Sequence, residues 1–235
     1  MEDAARRYAL VPCAGVGARA ATGVPKQYAP LAGRAVVAHT LAALAAVPRI
    51  AATLVVLAPD DDAFERAVPG FGGARAWVAR RGGATRAASV AGGLAVLRER
   101  GARDHDWVLV HDAARCLLRP AWVERLIDAC DGDAVGGLLA LPLADTLKAG
   151  RDGRVTATLD RGGKWLAQTP QMFRLGLLQQ ALARAGGQDG AAVTDEASAV
   201  ESLGLAPRLV PGEIENFKLT WPADFALAAR LLETA

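Results

Sequence analysis

The chain has 235 residues, 52% of them apolar and 22% charged, which describes an ordinary globular protein long enough to bury a core without disulfides or structural zinc. A formal net charge of +2, with basic residues scattered singly or in pairs such as Arg6-Arg7 and Arg80-Arg81, excludes nucleic acid as the expected partner. No apolar run reaches the roughly 18 residues of a membrane span, MEDAARRYAL has no signal-peptide core, and three cysteines without a CxxC fit a reducing, cytoplasmic setting.

In chain order, Tyr8–Ala14 reads as a strand ending in a glycine-bearing loop. Val36–Val47 has helical periodicity, and Thr53–Ala58 is a second, continuously apolar strand. Asp60–Val68 is a short polar helix, followed by a strand near Arg75–Ala79. A helix over Ala87–Arg100 leads to a fourth strand at Trp107–Val110. Pro120–Cys130 opens with proline at a helix start, and Ala134–Leu141 is another buried strand. Helices over Leu175–Ala185 and about Asp195–Leu203, a short strand at Arg208–Val210 and a helix after Pro222 complete the chain. Strands that are apolar throughout and alternate with helices predict an α/β fold, with a mostly parallel central sheet flanked by helices. Ligands in such folds sit beyond the carboxyl ends of the strands. The chain reads as a single domain over 1–235. Within it, the segment at about 142–165 has strand character on both sides of a turn and too few apolar residues for its own core. A lone hairpin is marginal in water, so this arm is expected to pack against a second subunit.

The chemistry-bearing residues cluster in the loops. Pro12-Cys13-Ala14-Gly15-Val16-Gly17-Ala18-Arg19, with Pro25-Lys26-Gln27 close behind, combines a tight glycine turn with two cations, as a polyphosphate requires. It lacks the GxxxxGK[ST] pattern. The dinucleotide fingerprint fails as well, because Gly23 and Pro25 interrupt the helix it needs and no acidic residue occurs between Asp3 and Asp60. Gly82-Gly83-Ala84-Thr85-Arg86 with Ser89, and His111-Asp112-Ala113-Ala114-Arg115, follow strands in the same way. The arm carries Asp145-Thr146 and Asp160-Arg161. Gln168-Thr169-Pro170-Gln171, Thr194-Asp195-Glu196-Ala197-Ser198 and Asn216-Phe217-Lys218-Leu219-Thr220 come later. Only four of the 27 basic residues are lysines, so Lys26 and Lys218 mark places where a compact ammonium is preferred to a planar guanidinium.

Together these motifs closely resemble the 2-C-methyl-D-erythritol 4-phosphate cytidylyltransferase family, over nearly the whole chain. The resemblance implies a Rossmann-like nucleotidyltransferase fold with a protruding β-hairpin arm, and a homodimer whose arms cross to the neighbouring site. It implies transfer of the cytidylyl group of CTP to a phosphorylated polyol, with Mg²⁺ carried mainly by the CTP phosphates and no protein metal ligands. It assigns catalysis to Arg19, Lys26, Arg161 and Lys218. Nucleotide binding falls to Pro12, Cys13, Ala14, Gly15, Gly17, Gly83, Ser89 and Ala113, and acceptor binding to Asp112, Arg115, Thr146 and Thr194. The chain departs from the family pattern at Cys13, Ala84 and Cys116. Because Cys13 and Cys116 lie in ligand loops, thiol reagents are expected to inhibit and CTP to protect. Two alternatives share these loops: a ribitol 5-phosphate cytidylyltransferase, and a nucleotide-binding regulator without turnover.

Overall fold

The computed structural model describes residues 4–15, 24–186 and 193–234. Among these, eleven strands and seven helices follow the predicted order closely. They are β1 (Arg7–Pro12), β2 (Pro30–Leu31), β3 (Arg34–Ala35), α1 (Val36–Ala45), β4 (Ala52–Val56), α2 (Phe64–Ala67), β5 (Ala76–Ala79), α3 (Arg86–Glu99) and β6 (Trp107–Val110). Then come α4 (Pro120–Cys130), β7 (Gly136–Pro142), β8 (Leu147–Arg151), β9 (Arg154–Leu159), β10 (Trp165–Arg174), α5 (Leu175–Gly186), α6 (Glu196–Glu201), β11 (Arg208–Pro211) and α7 (Pro222–Glu233).

Seven strands form the central sheet in the order β11-β7-β10-β6-β1-β4-β5. β5, β4, β1 and β6 are mutually parallel neighbours, and β11 runs parallel to β7. β10 is the exception. It runs antiparallel between β6 and β7 and was not anticipated, because the polar Gln168-Thr169-Pro170-Gln171 breaks any apolar run through it. A register shift between Ala167 and Gln171 accommodates the proline there, since proline has no N–H to give a ladder.

Successive residues of a strand face opposite sides of a sheet, and β1 divides the core accordingly. Ala9 and Val11 pack with α1 and α4, through Leu41, Leu44, Leu126 and Ile127. Tyr8 and Leu10 pack with α3, α5 and α6, through Leu94, Leu97, Leu178 and Val200. A third cluster seats α7 on the loop after β6, through Cys116, Leu117 and Leu219. No helix among the described residues is long and apolar enough to cross a membrane.

The arm is a separate two-stranded sheet of β8 and β9. Asp152 and Gly153, both with positive φ (51° and 74°), form its two-residue turn, the geometry that matches the twist of a tight hairpin. All of β9 is exposed.

Candidate active site

At the carboxyl ends of β1 and β6 the loops enclose a cavity of about 260 Å³. The glycine loop from Pro12 to Gly15 forms one wall. Gly83 to Arg86, with Ser89, form a second; Asp112 to Ala114 form the floor, and Lys26, Gln27 and Lys218 close the remaining side.

Each wall is fixed by bonds that are local in space and distant in sequence. Lys26-Gln27-Tyr28 is a single 3₁₀ turn with a separate task for each side chain. The buried Gln27 amide donates to the carbonyls of Cys13 (3.2 Å) and Gly15 (2.7 Å), fixing the glycine loop. Tyr28 donates to Asp61 at 2.5 Å, anchoring the turn to the loop before α2. Lys26 sends its ammonium to the Leu219 carbonyl at 2.7 Å, while the Leu219 N–H donates to Ala114 at 2.9 Å. The backbone of the single residue Leu219 therefore ties the lysine side of the cavity to its floor. Asp224, in the first turn of α7, accepts from the N–H groups of Thr220 (2.6 Å) and Trp221 (2.8 Å), which holds the loop that carries Lys218.

The second wall opens α3. Thr85 is its N-cap and accepts from Ala88 N–H at 3.1 Å. The buried Ser89 hydroxyl accepts from Gly83 N–H (3.1 Å) and donates to the Thr85 carbonyl (3.0 Å), so it shapes the loop. Gly82 has to be glycine: a Cβ there would lie 2.3 Å from Ala14 Cβ and 2.6 Å from the Leu57 oxygen. The first turn of α3, at the positive end of the helix dipole, thereby faces the cavity, an arrangement that favours anions.

Asp112 is the electrostatic centre. It is 7% exposed, accepts from Arg86 Nε at 2.9 Å and pairs with Lys218 Nζ at 2.8 Å. Burial would raise its pKa, but Arg86, Lys218 and Arg115 reverse that and hold it well below the usual carboxylate range. Arg86 continues to Glu196, which it meets with both terminal nitrogens at 2.5 and 3.1 Å. Glu196 is only 1% exposed; burial raises its pKa and Arg86 opposes the rise.

Beneath the floor, His111 is fully buried. Nε2 lies 3.1 Å from the Arg115 carbonyl, which can only accept, so Nε2 carries the proton. Nδ1 therefore accepts from the Thr169 hydroxyl at 3.0 Å, and that hydroxyl accepts from Asp112 N–H at 3.1 Å. Burial pushes the imidazole down to about 4, leaving it neutral and engaged on both sides.

Of the residues expected to act, Pro12, Cys13, Ala14, Gly15, Lys26, Gly83, Ser89, Asp112, Ala113 and Lys218 line this one cavity. Gly17 and Arg19 lie outside the described residues. Arg115 does not line it; its guanidinium is directed to the carbonyls of Asn216 (2.6 Å) and Ala167 (3.4 Å). Thr194 is exposed beside α6, where it bonds Ser198. Thr146 and Arg161 are exposed on the arm, Arg161 bonding the Ala144 carbonyl. The expected thiol reactivity is corrected. Cys13 and Cys116 are 2% and 3% exposed, and burial pushes both thiols up to about 12, so neither offers a thiolate. Sequence reasoning passed over Gln27, Arg86 and Glu196. Each lay inside a quoted motif, but only the fold reveals what it touches.

A sequence profile of 2-C-methyl-D-erythritol 4-phosphate cytidylyltransferase matches residues 8–234. The bifunctional enzyme IspD/IspF of Albidiferax ferrireducens is 62% identical over 229 residues, covering 97% of this chain and 53% of its own length. The 2-C-methyl-D-erythritol 4-phosphate cytidylyltransferase of Paraburkholderia phytofirmans is 54% identical over 231 residues, covering 97% and 96%. Against the first the chain thus spans about half the relative's length, and against the second nearly all of it. A crystal structure of 4-diphosphocytidyl-2C-methyl-D-erythritol synthase superposes with a TM-score of 0.86 at 41% identity, covering 98% of this chain and 100% of that one.

Proposed function

Since the chain belongs to the 2-C-methyl-D-erythritol 4-phosphate cytidylyltransferase family, we propose that it transfers the cytidylyl group of CTP to 2-C-methyl-D-erythritol 4-phosphate. The products are 4-diphosphocytidyl-2-C-methyl-D-erythritol and pyrophosphate, a step of non-mevalonate isoprenoid biosynthesis. The observation that supports this most is that Lys26 and Lys218, 192 positions apart in sequence, open into one cavity walled by a glycine loop.

An acceptor oxygen attacks the α-phosphorus of CTP and pyrophosphate leaves. A phosphate monoester is largely dianionic near neutral pH, with a second pKa near 6, so the attack needs no general base. That suits a site whose nearest imidazole, His111, is neutral and bonded at both nitrogens. The obstacle is repulsion between two polyanions, which fixed cations relieve. In this reading the glycine loop and the first turn of α3 hold the triphosphate. Lys26 and Arg19 meet the charge that develops on the α-phosphate. Lys218, steered by Asp112, receives the acceptor phosphate together with the partner subunit's Arg161, and the arm's Thr146 adds a hydroxyl.

The donor set fits a divalent cation that enters on its ligand. Among the described residues no three His, Cys, Asp or Glu side chains gather to hold a metal, and Asp112 is already bonded to Arg86 and Lys218. Mg²⁺ usually binds through substrate phosphates with one or two carboxylates at most. When bound it neutralises phosphate oxygens; the lysines hold the anions that carry it.

The arm supports a homodimer. Val155 and Leu159 are 65% and 43% exposed, more apolar surface than an isolated hairpin can leave in water without cost. The whole chain acts as one nucleotidyltransferase domain, since its central sheet draws strands from Arg7 through to Pro211. It works in the cytoplasm, where three free, buried cysteines stay reduced. Incubation with CTP, Mg²⁺ and 2-C-methyl-D-erythritol 4-phosphate, with product mass and pyrophosphate release measured, tests the reading. Pyrophosphate released with ribitol 5-phosphate and not with the methylerythritol phosphate would overturn it.

A further inference from the structure

Glu196 is a buried carboxylate for which the mechanism above has no use. It is the first residue of α6, behind the N-cap Asp195. Its helix start is tied to β10 by Gln171, whose amide oxygen accepts from Ala197 N–H (2.7 Å) and whose nitrogen donates to Asp195 (2.9 Å). A carboxylate at 1% exposure is tolerated only with a well-bonded counter-charge, and Arg86 is the cation it meets. Arg86 is likewise the first residue of α3, so the ion pair braces two helix starts on the same face of the sheet.

The geometry of Arg86 makes this more than a brace. A guanidinium presents two edges. Glu196 takes the edge formed by the two terminal nitrogens, at 2.5 and 3.1 Å. So held, Arg86 reaches Asp112 with Nε alone, at Oδ1 and 2.9 Å. Asp112 Oδ2 therefore remains for Lys218 at 2.8 Å, with Arg115 farther off at 3.8 Å. Without a charged Glu196 to hold it, the guanidinium would be free to turn and set two N–H donors on Asp112, because paired N–H···O contacts are the preferred meeting of these groups. Asp112 would then give both oxygens to Arg86 and release Lys218.

We infer that Glu196, acting through Arg86, is a positioning residue for the acceptor half of the site: the pair decides which Asp112 oxygen steers Lys218. The inference rests on the cytidylyltransferase reading for the role of Lys218, and on geometry alone for the rest. Glu196 itself does not line the cavity, so its replacement is expected to touch the nucleotide half little.

Glu196→Gln keeps the volume and one acceptor oxygen; Arg86→Lys keeps the charge and removes the fork. Glu196→Gln is expected to raise the acceptor KM about tenfold, while its CTP KM stays within about twofold; Arg86→Lys, with no fork to close on Asp112, is expected to raise the acceptor KM less. The double variant is expected to be no worse than the poorer single one, as for residues acting in series. Equal rises in both KM values, an unchanged acceptor KM, an additive double variant, or loss of folding in both singles would each reduce the pair to a structural brace and overturn the inference. Crystal structures of the wild-type protein and Glu196→Gln decide the geometric half without turnover. In the variant Arg86 is expected to set two nitrogens on Asp112, and Lys218 to leave it. A Lys218–Asp112 contact still at 2.8 Å sinks the proposal whatever the protein makes. A wild-type protein that makes no cytidylylated product counts against the cytidylyltransferase reading, and the structural comparison then still decides this one.

Discussion

At the scale of single residues, the proposed reaction depends on cations held where two anions would meet. Lys26 is the plainest case, its ammonium fixed on the Leu219 carbonyl at the cavity edge. Lys26→Ala is expected to lower kcat at least about 10²-fold, the usual loss for one preorganised charge contact; steady-state rates at saturating CTP measure it, and near-normal turnover removes Lys26 from the mechanism. Cys13 gives a prediction of the opposite kind. Buried, with its thiol pushed up to about 12, it is expected to resist alkylation in the native protein and to react only on unfolding. Mass spectrometry of peptides labelled before and after denaturant tests this, and fast native labelling of Cys13 would contradict it. Lys26, Lys218 and Asp112 were legible in the sequence because charged residues directly beyond apolar strands or in glycine loops have little packing role. Gln27, Arg86 and Glu196 were not. Their importance lies in the partner each meets across 12 to 110 positions, and no single motif contains both ends.

At the scale of elements, sequence pattern and fold agree most closely where a cap or an apolar period defines an end. α4 begins at the predicted Pro120, and α3 starts directly after Thr85. The Thr85 cap orders the loop that also carries Gly83, so Thr85→Ala is expected to cost about 1 kcal/mol of stability, read from denaturant midpoints. β10 escaped notice because its middle is polar for functional reasons: Thr169 serves Asp112, Gln171 serves α6, and Gln168 donates to the Glu213 carbonyl. The arm was legible from its turn, and its role can be tested across subunits. Arg161→Ala is expected to impair use of the acceptor while leaving CTP binding intact. After subunit exchange with Lys26→Ala, the mixture is expected to regain partial activity, because one site of each mixed dimer keeps both groups. No recovery after confirmed exchange rules out a shared site.

For the whole molecule, the buried polar floor links stability to pH. His111 in the folded protein sits near 4, below the ordinary 6.5 of the unfolded chain. The unfolded state therefore binds the extra proton first on acidification, and stability present above about pH 6.5 is lost as the pH falls toward 4. The difference corresponds to roughly 3 kcal/mol. Asp112, held far lower, stays charged through that window, and the raised Glu196 acts with the opposite sign. His111→Gln isolates the effect: urea unfolding across this range is expected to show a shallower acid loss than in the wild type, and identical slopes refute it. The strand that carries Thr169 has a further consequence. β10 and β7 pair along their length, yet β10 meets β6 only from Gln171 onward, and its first three residues are exposed while the next six are buried. It is built like a cantilever, its outer end next to the arm and held by β7 alone, its root clamped under the floor of the cavity. In the homodimer proposed above, a subunit packing on the outer end would press on the same strand whose Thr169 hydroxyl accepts from the Asp112 N–H, so pairing and the set of that carboxylate would share one lever.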